Sequence, residues 1–158
     1  KEKEKAFAVN ADGVAHLAKA CKEFNAILIH VSTDYVFDGE TNLSYSEDDF
    51  TNPIGVYGES KLKGEELALD ANPKTIILRT SWLYSEFNKN FVKTMLHLFS
   101  QKEELGIVAD QFGQPTNAND QSARAPRPSG RGHEVQVACD GKLPAAPWRV
   151  HPRVHHHA

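Results

Sequence analysis

Tyr57 and Lys61 stand four residues apart in the stretch GVYGESKLKGEE (55–66), a spacing that puts both side chains on one side of a helix. A free tyrosine has a pKa of about 10, too high for ready proton transfer at neutral pH. A nearby ammonium favours the phenolate and makes tyrosine a usable general acid toward a carbonyl oxygen that gains hydride. The pair is therefore a candidate site of carbonyl reduction.

The spacing alone does not decide this, because an ordinary amphipathic helix with one half-buried tyrosine and one solvated lysine shows it too. The surroundings favour chemistry. Ser32 and Thr33 stand at the end of a predicted strand, and either hydroxyl could bind the same oxygen and stabilise its developing charge. Gly58, Ser60 and Gly64 leave room for a cofactor or a neighbouring strand to approach closely. A cofactor must supply the hydride, since no side chain donates one.

The elements around this pair alternate between helix and strand. Short runs rich in branched residues, typical of buried strands, lie at 26–32, 75–81 and 105–109. Helical periodicity, with a start signal at Asn52 and Pro53 for the second helix, covers 9–25, 52–69 and 88–102. This order predicts an α/β fold with a parallel sheet, in which ligands bind beyond the carboxyl ends of the strands.

The first and third helices each carry an apolar face, and we expect that of the third helix to point inward. In the first helix this face comprises Val14, Leu17, Ala18, Cys21 and Phe24. In the third helix it comprises Phe91, Val92, Met95, Leu98 and Phe99.

Composition and charge bound the class of partner. Residues 1–120 carry 12 Lys and Arg against 19 Asp and Glu, a net charge of −7 that argues against a nucleic-acid partner. No apolar run reaches the roughly 18–20 residues that span a bilayer, and the first residues lack the apolar core of a signal peptide. Cys21 and Cys139 suggest no disulfide framework. We therefore expect a cytoplasmic protein with no membrane partner.

Composition changes near residue 120. The last 38 residues hold five of the eight prolines and five of the eight histidines and show no sustained period. Such a stretch buries too little apolar surface to offset its ordering entropy. We predict a folded domain over 1–120 and a disordered Arg/Pro/His-rich tail over 121–158. The run His155–His157 is more typical of a tag remnant or a solvated tail than of a metal site, so no metal is predicted.

The glycine-rich fingerprint of dinucleotide binding, strand–GxGxxG–helix, is absent from the sequence. The helical periodicity begins with no strand before it. Either no dinucleotide is bound, or the first half of a larger fold lies outside this sequence.

Five segments in order resemble the dTDP-4-dehydrorhamnose reductases, of the extended short-chain dehydrogenase/reductase superfamily. The segments are STDYVFDG (32–39), NPIGVYGESKLKGE (52–65), RTSWLY (79–84), NFVKTM (90–95) and DQFGQPT (110–116). The resemblance implies a Rossmann-like, doubly wound parallel sheet whose first βα units are missing, so that the chain is expected to be an internal fragment. It also implies that NADPH, or NADH, reduces the 4-keto group of dTDP-4-dehydro-L-rhamnose, giving dTDP-L-rhamnose for bacterial cell-surface polysaccharide. A homodimer is a further expectation.

By position, the resemblance assigns Thr33, Tyr57 and Lys61 to the catalytic trio of that family. Tyr57 would donate the proton, Lys61 would lower the pKa of Tyr57 and hold the nicotinamide ribose, and Thr33 would bond the reacting oxygen. Ser32 is expected beside the cofactor together with Tyr57 and Lys61.

The remaining assignments concern the substrate and the preceding helix. Asp34, next to Thr33, and Trp82 match substrate contacts, and Tyr35 has a weaker claim to lie near the substrate. Without the resemblance, Asp34 is more typical of a turn residue, and a core aromatic at a strand end is the less favoured alternative for Trp82. Asn10 falls where the superfamily keeps an asparagine, and it reads equally as a helix cap.

Two other functions share this fold. The regulatory β subunit of methionine adenosyltransferase resembles the same family and acts by association, and sugar-nucleotide epimerases belong to the same superfamily. The catalytic trio and the RTSW motif (79–82) favour an enzyme over a binding subunit. The STDYVFDG and DQFGQPT segments favour a reductase over an epimerase.

Overall fold

A computed structural model describes residues 2–41, 43–102, 104–106, 115–124 and 134–137. The α-helices are α1 (Glu2–Phe7), α2 (Gly13–Glu23), α3 (Val56–Ala71), α4 (Phe91–Gln101) and α5 (Ala118–Arg124). The strands are β1 (Leu28–Thr33), β2 (Thr75–Thr80), β3 (Leu83–Tyr84), β4 (Thr116–Asn117) and β5 (Glu134–Val137). A π-helical turn (Ala8–Asp12) joins α1 to α2, and a 3₁₀ turn (Asp34–Val36) follows β1.

The main sheet has the strand order β1-β2-β5, and both pairings are parallel. In the register, Leu28 lies opposite Thr75 and Thr33 opposite Thr80, so β1 and β2 end side by side. Every residue of the central strand β2 is buried, as expected of a strand with neighbours on both edges. β3 and β4 form a separate parallel pair. The predicted α/β fold with a parallel sheet is confirmed.

Two of the three predicted strands are present in the structure. Those at 26–32 and 75–81 correspond to β1 and β2, whereas 105–106 form no strand and 107–109 lie outside the described residues. α5 runs across residue 120, and β5 pairs with β2 within the segment predicted as a tail. The prediction of a disordered tail therefore does not extend to these elements.

The core between α2 and α3 is built from small side chains. Val14, Ala18 and Ala68 form a buried cluster, against which Leu28 and Ala71 pack. The predicted apolar face of the first helix is only partly buried, because Leu17 and Phe24 are 60% and 83% exposed. Close packing of the two helices follows the Val14–Ala18 face, and this turns the neighbouring larger side chains outward. Cys21 is half-buried.

The apolar face of α4 is also more exposed than its periodicity predicts. Val92, Met95 and Leu98 are half-buried, whereas Phe91 and Phe99 are 53% and 57% exposed. No residue of α4 is fully buried. Within the described residues, no helix is long and apolar enough to span a membrane.

α3 begins at Val56, three residues after the predicted start at Pro53. Asn52 does not cap it, because its side-chain amide donates to Asp38 Oδ2 at 3.2 Å and its backbone N–H donates to the Val36 carbonyl at 2.9 Å. These bonds close the loop that follows β1, and the helix starts only after the loop is complete.

Two glycines let the backbone of other segments approach α3. A Cβ on Gly58 would lie 2.1 Å from the Tyr35 carbonyl oxygen, and one on Gly64 would lie 2.0 Å from that of Asn10. Both distances are far below van der Waals contact. The small residues around the Tyr57–Lys61 pair thus admit the segment after β1 and the π-helical turn.

A buried ion pair joins α3 to β2. Arg79 Nη2 lies 2.7 Å from Glu65 Oε2, and Arg79 Nε donates to the same carboxylate at 3.1 Å. The two side chains are 6% and 4% exposed. The guanidinium also stands 5.1 Å from the ring centroid of Phe37 and donates to the Glu47 carbonyl at 3.3 Å. One cation therefore holds a helix, a strand and the loop after β1 together.

Arg79→Met should lower the free energy of unfolding by about 3 to 5 kcal/mol, because it leaves the Glu65 carboxylate buried without its partner. Urea denaturation of the chain measures this. Lys63→Met is the control, since the Lys63–Glu66 pair is half-exposed and its loss should cost less than about 1 kcal/mol. The double variant Glu65→Met/Arg79→Met should recover most of the loss. A double variant as unstable as the sum of its single changes would contradict this account.

Candidate active site

A cavity of about 340 Å³ opens where β1 and β2 end. The residues lining it come from β1 and the turn after it, from the first turn of α3, and from the end of β2 and the segment beyond. They are Val31, Ser32, Thr33, Asp34, Tyr35, Tyr57, Thr80, Trp82 and Leu83. Five of the six predicted site residues, all but Lys61, therefore share one cavity at the edge of the sheet where ligands of parallel sheets bind.

Thr33 is held by hydrogen bonds on both sides. Its hydroxyl donates to Asp34 Oδ1 at 3.1 Å and accepts the Tyr35 backbone N–H at 3.2 Å, which caps the 3₁₀ turn. Because a hydroxyl has one proton, Thr33 as it stands offers a ligand only an acceptor lone pair. Burial raises the pKa of Asp34, and the bond from Thr33 opposes that rise. The Asp34 carboxylate therefore keeps the Thr33 hydroxyl proton pointed toward itself.

Tyr57 is the second residue of α3, and its side chain is 53% exposed at the cavity. Its ring meets the Tyr35 ring edge-on, with centroids 6.0 Å apart. Behind it, Ser60 Oγ donates to the Tyr57 carbonyl at 2.9 Å, and Asn10 Nδ2 donates to Ser60 Oγ at 3.1 Å. Reading Asn10 as a helix cap is wrong, because it lies inside the π-helical turn and supports the first turn of α3.

Lys61 lies one turn further along α3, beside the cavity, and its side chain turns toward β1. Its ammonium donates to the Val31 carbonyl at 2.7 Å and lies 3.4 Å from His30 Nε2. Burial lowers the pKa of Lys61, and the Glu65 carboxylate opposes this. Burial first, and then the Lys61 charge, lowers the pKa of His30 to about 4. His30 is not among the site residues predicted from the sequence, although a titratable side chain inside the apolar run AILIHVS (26–32) is a usable signal.

Ser32 carries a buried hydroxyl with no hydrogen-bond partner among the described residues. The residue is 3% exposed, and its carbonyl accepts from Thr80 Oγ1 at 3.3 Å. Buried polar atoms are rarely left unpaired, because desolvation without a replacement bond costs about 1 to 3 kcal/mol. A ligand hydroxyl or amide would satisfy this oxygen.

Trp82 forms a wall of the cavity in a strained backbone conformation. Its φ angle is 43°, in the left-handed region that side chains rarely adopt, at a cost of about 1 to 3 kcal/mol. Its carbonyl accepts the Thr116 N–H at 3.3 Å, and its ring packs against Phe91 with centroids 5.6 Å apart. Trp82 is therefore half-buried at the mouth of the site, and it is not a core aromatic.

Residues 1–126 match the model of the family described as RmlD substrate binding domain. The chain belongs to this family. A dTDP-4-dehydrorhamnose reductase of Sinorhizobium fredii is 55% identical over 119 residues, which are 75% of this chain and 40% of that protein. The chain thus spans about 40% of the length of this curated relative.

Two solved structures of dTDP-4-dehydrorhamnose reductases share the fold of this RmlD-family chain. The Clostridium acetobutylicum protein superposes with a TM-score of 0.74 at 43% identity, over 77% of this chain and 43% of its own. The Bacillus anthracis protein, solved in complex with NADP, gives 0.74 at 42% identity, over 78% and 44%. The expected Rossmann-like fold and the family resemblance are confirmed. Most of the DQFGQPT segment and the run His155–His157 lie outside the described residues.

Thr33→Val should raise the pKa of Asp34 further, because it removes a hydrogen bond that stabilises the carboxylate and leaves the burial unchanged. A ¹³C NMR titration of the Asp34 carboxyl measures this. Thr33→Ser keeps the hydroxyl and should leave the titration close to that of the unaltered chain. A Thr33→Val variant in which Asp34 titrates at the same pH or lower would show that the hydroxyl does not donate to it.

Proposed function

We propose that the protein reduces the 4-keto group of dTDP-4-dehydro-L-rhamnose to give dTDP-L-rhamnose, with NADPH as reductant, in the cytoplasm. The observation that carries the proposal is the cavity at the ends of β1 and β2, which gathers Thr33, Asp34, Tyr57 and Trp82 with Lys61 beside it. The relatives named as dTDP-4-dehydrorhamnose reductases support the substrate, and the NADP bound to the Bacillus anthracis protein supports the cofactor.

The residues present fit the reacting end of a nicotinamide cofactor. Ser32 Oγ is buried and unpaired among the described residues, so it suits a polar group of the ligand. Lys61 has three N–H groups, of which Val31 takes one at 2.7 Å, so the ammonium retains a donor for a ribose hydroxyl. Bound NADPH supplies the hydride.

The chain's own residues then handle the proton and the charge on the oxygen. The Tyr57 hydroxyl, half-exposed at the cavity, donates its proton to the carbonyl oxygen as negative charge develops there. Thr33 bonds the same oxygen once its proton turns away from Asp34. Trp82 and Tyr35 provide aromatic surface against which the sugar nucleotide packs.

Tyr57→Phe should lower kcat by about 10²- to 10⁴-fold, because it removes the proton donor and keeps the ring. The measurement uses a chimaera in which the matched segment of this chain replaces that of the Sinorhizobium fredii reductase, and it follows NADPH oxidation with the 4-keto sugar nucleotide. Tyr84→Phe is the matched control, since Tyr84 lies on β3 outside the cavity lining. A Tyr57→Phe chimaera with unaltered turnover would contradict the mechanism. A chimaera that binds a partner protein but consumes no NADPH would favour a regulatory subunit.

We further propose that the protein forms a homodimer through the first helical segment. Val9, Leu17 and Phe24 follow one another every seven or eight residues, and they are 63%, 60% and 83% exposed. A row of exposed large apolar side chains at this spacing is typical of an association surface.

Leu17→Glu should shift the chain from dimer to monomer, because it places a charge in the middle of this apolar row. Sedimentation equilibrium measures the change. Lys19→Glu is the control, since Lys19 is an exposed polar residue of the same helix. An unaltered chain that sediments as a monomer would contradict the dimer.

A further inference from the structure

His30 lies in β1 next to the side chain of Lys61, and the mechanism above does not use it. Its Nε2 is 3.4 Å from the Lys61 ammonium, which also donates to the carbonyl of the next residue, Val31, at 2.7 Å. Two successive residues of one strand therefore receive the end of the Lys61 side chain. Without these two contacts, the long and flexible Lys61 side chain would have no fixed position between α3 and β1.

The chemistry of the pair fixes the state of the imidazole. An ammonium has three donors and no acceptor, so His30 Nε2 faces it with a lone pair and the ring proton sits on Nδ1. A pKa of about 4 keeps His30 neutral at pH 7, as an acceptor for a cation must be. Among the described residues, the charged group that acts on Lys61 is Glu65, one turn further along α3, and Tyr57 lies one turn before.

We propose that His30 is a positioning residue for Lys61: its Nε2 and the Val31 carbonyl take two of the three ammonium N–H groups and direct the third toward the ligand. The role rests on the proposed function, in which Lys61 contacts the cofactor. His30 itself is not among the residues that line the cavity. Removing the His30 Nε2 acceptor lets the Lys61 side chain move freely. It also disfavours the charged ammonium form of Lys61.

The kinetic test compares His30→Leu with His30→Gln in the chimaera with the Sinorhizobium fredii reductase. His30→Leu should raise the KM for NADPH about tenfold, the worth of roughly one hydrogen bond to a charged group. It should also move the alkaline limb of the pH–rate profile to lower pH, because the ammonium loses an acceptor. His30→Gln, whose amide oxygen replaces Nε2, should restore both. His16→Leu, on the exposed side of α2, is the control.

A structural role alone would alter thermal stability but not the pH limb. Equal KM values and equal pH limbs in His30→Leu and in the unaltered chimaera would overturn the proposal. The proposal would also be overturned if the KM for NADPH and the alkaline pH limb changed as much in His30→Gln as in His30→Leu.

A second measurement tests the contact between His30 and Lys61 by NMR and does not depend on catalytic activity. In the ¹⁵N-histidine-labelled chain, His30 should show the Nδ1–H tautomer and a pKa of about 4, and Lys61→Met should raise that pKa toward the ordinary value. An Nε2–H tautomer, or an identical titration in Lys61→Met, would overturn the proposal. If the unaltered chimaera fails to reduce the sugar nucleotide, the proposed function fails, and the titration still decides whether His30 holds Lys61.

Discussion

The buried pair between Glu65 and Arg79 is the contact on which the arrangement of the site depends. Arg79 lies opposite Ser32 in the register of β1 and β2, one residue before Thr80 at the edge of the cavity. Glu65 lies one turn beyond Lys61 on α3. The pair therefore sets the position of α3 along the sheet, and with it the distance over which Lys61 reaches β1. Because both charges are desolvated, their geometry has little freedom.

The same contact reaches the wall of the cavity through the loop after β1. Phe37 covers the guanidinium on one side, and its ring stacks on Tyr45 with centroids 4.2 Å apart. The Tyr45 hydroxyl in turn donates to Asp38 at 2.7 Å. The loop is thus packed by its own side chains against Arg79, which fixes the turn that carries Asp34 and Tyr35. Helix, strand and loop meet around one cation, and the candidate active site occupies the rim of that junction.

Sequence reasoning predicted the parts whose local signals agree with the tertiary structure. The branched runs at β1 and β2, the i, i+4 spacing of Tyr57 and Lys61, and the polar strand ends all lie where the patterns place them. What it could not predict depends on distant partners. α3 starts later than predicted because Asn52 is hydrogen-bonded within the loop that follows β1. The π-helical turn has no periodic signature in the sequence. The contact of Lys61 with His30 exists only because α3 and β1 are brought together.

The backbone of Trp82 places a limit on engineering this domain for stability. Glycine would adopt its positive φ without strain, so relief of backbone strain alone would favour glycine there. The same change would remove the aromatic wall of the cavity and the packing against Phe91. At this position the backbone conformation and the wall of the cavity favour different residues, and a substitution chosen to relieve strain alone would open the cavity to water.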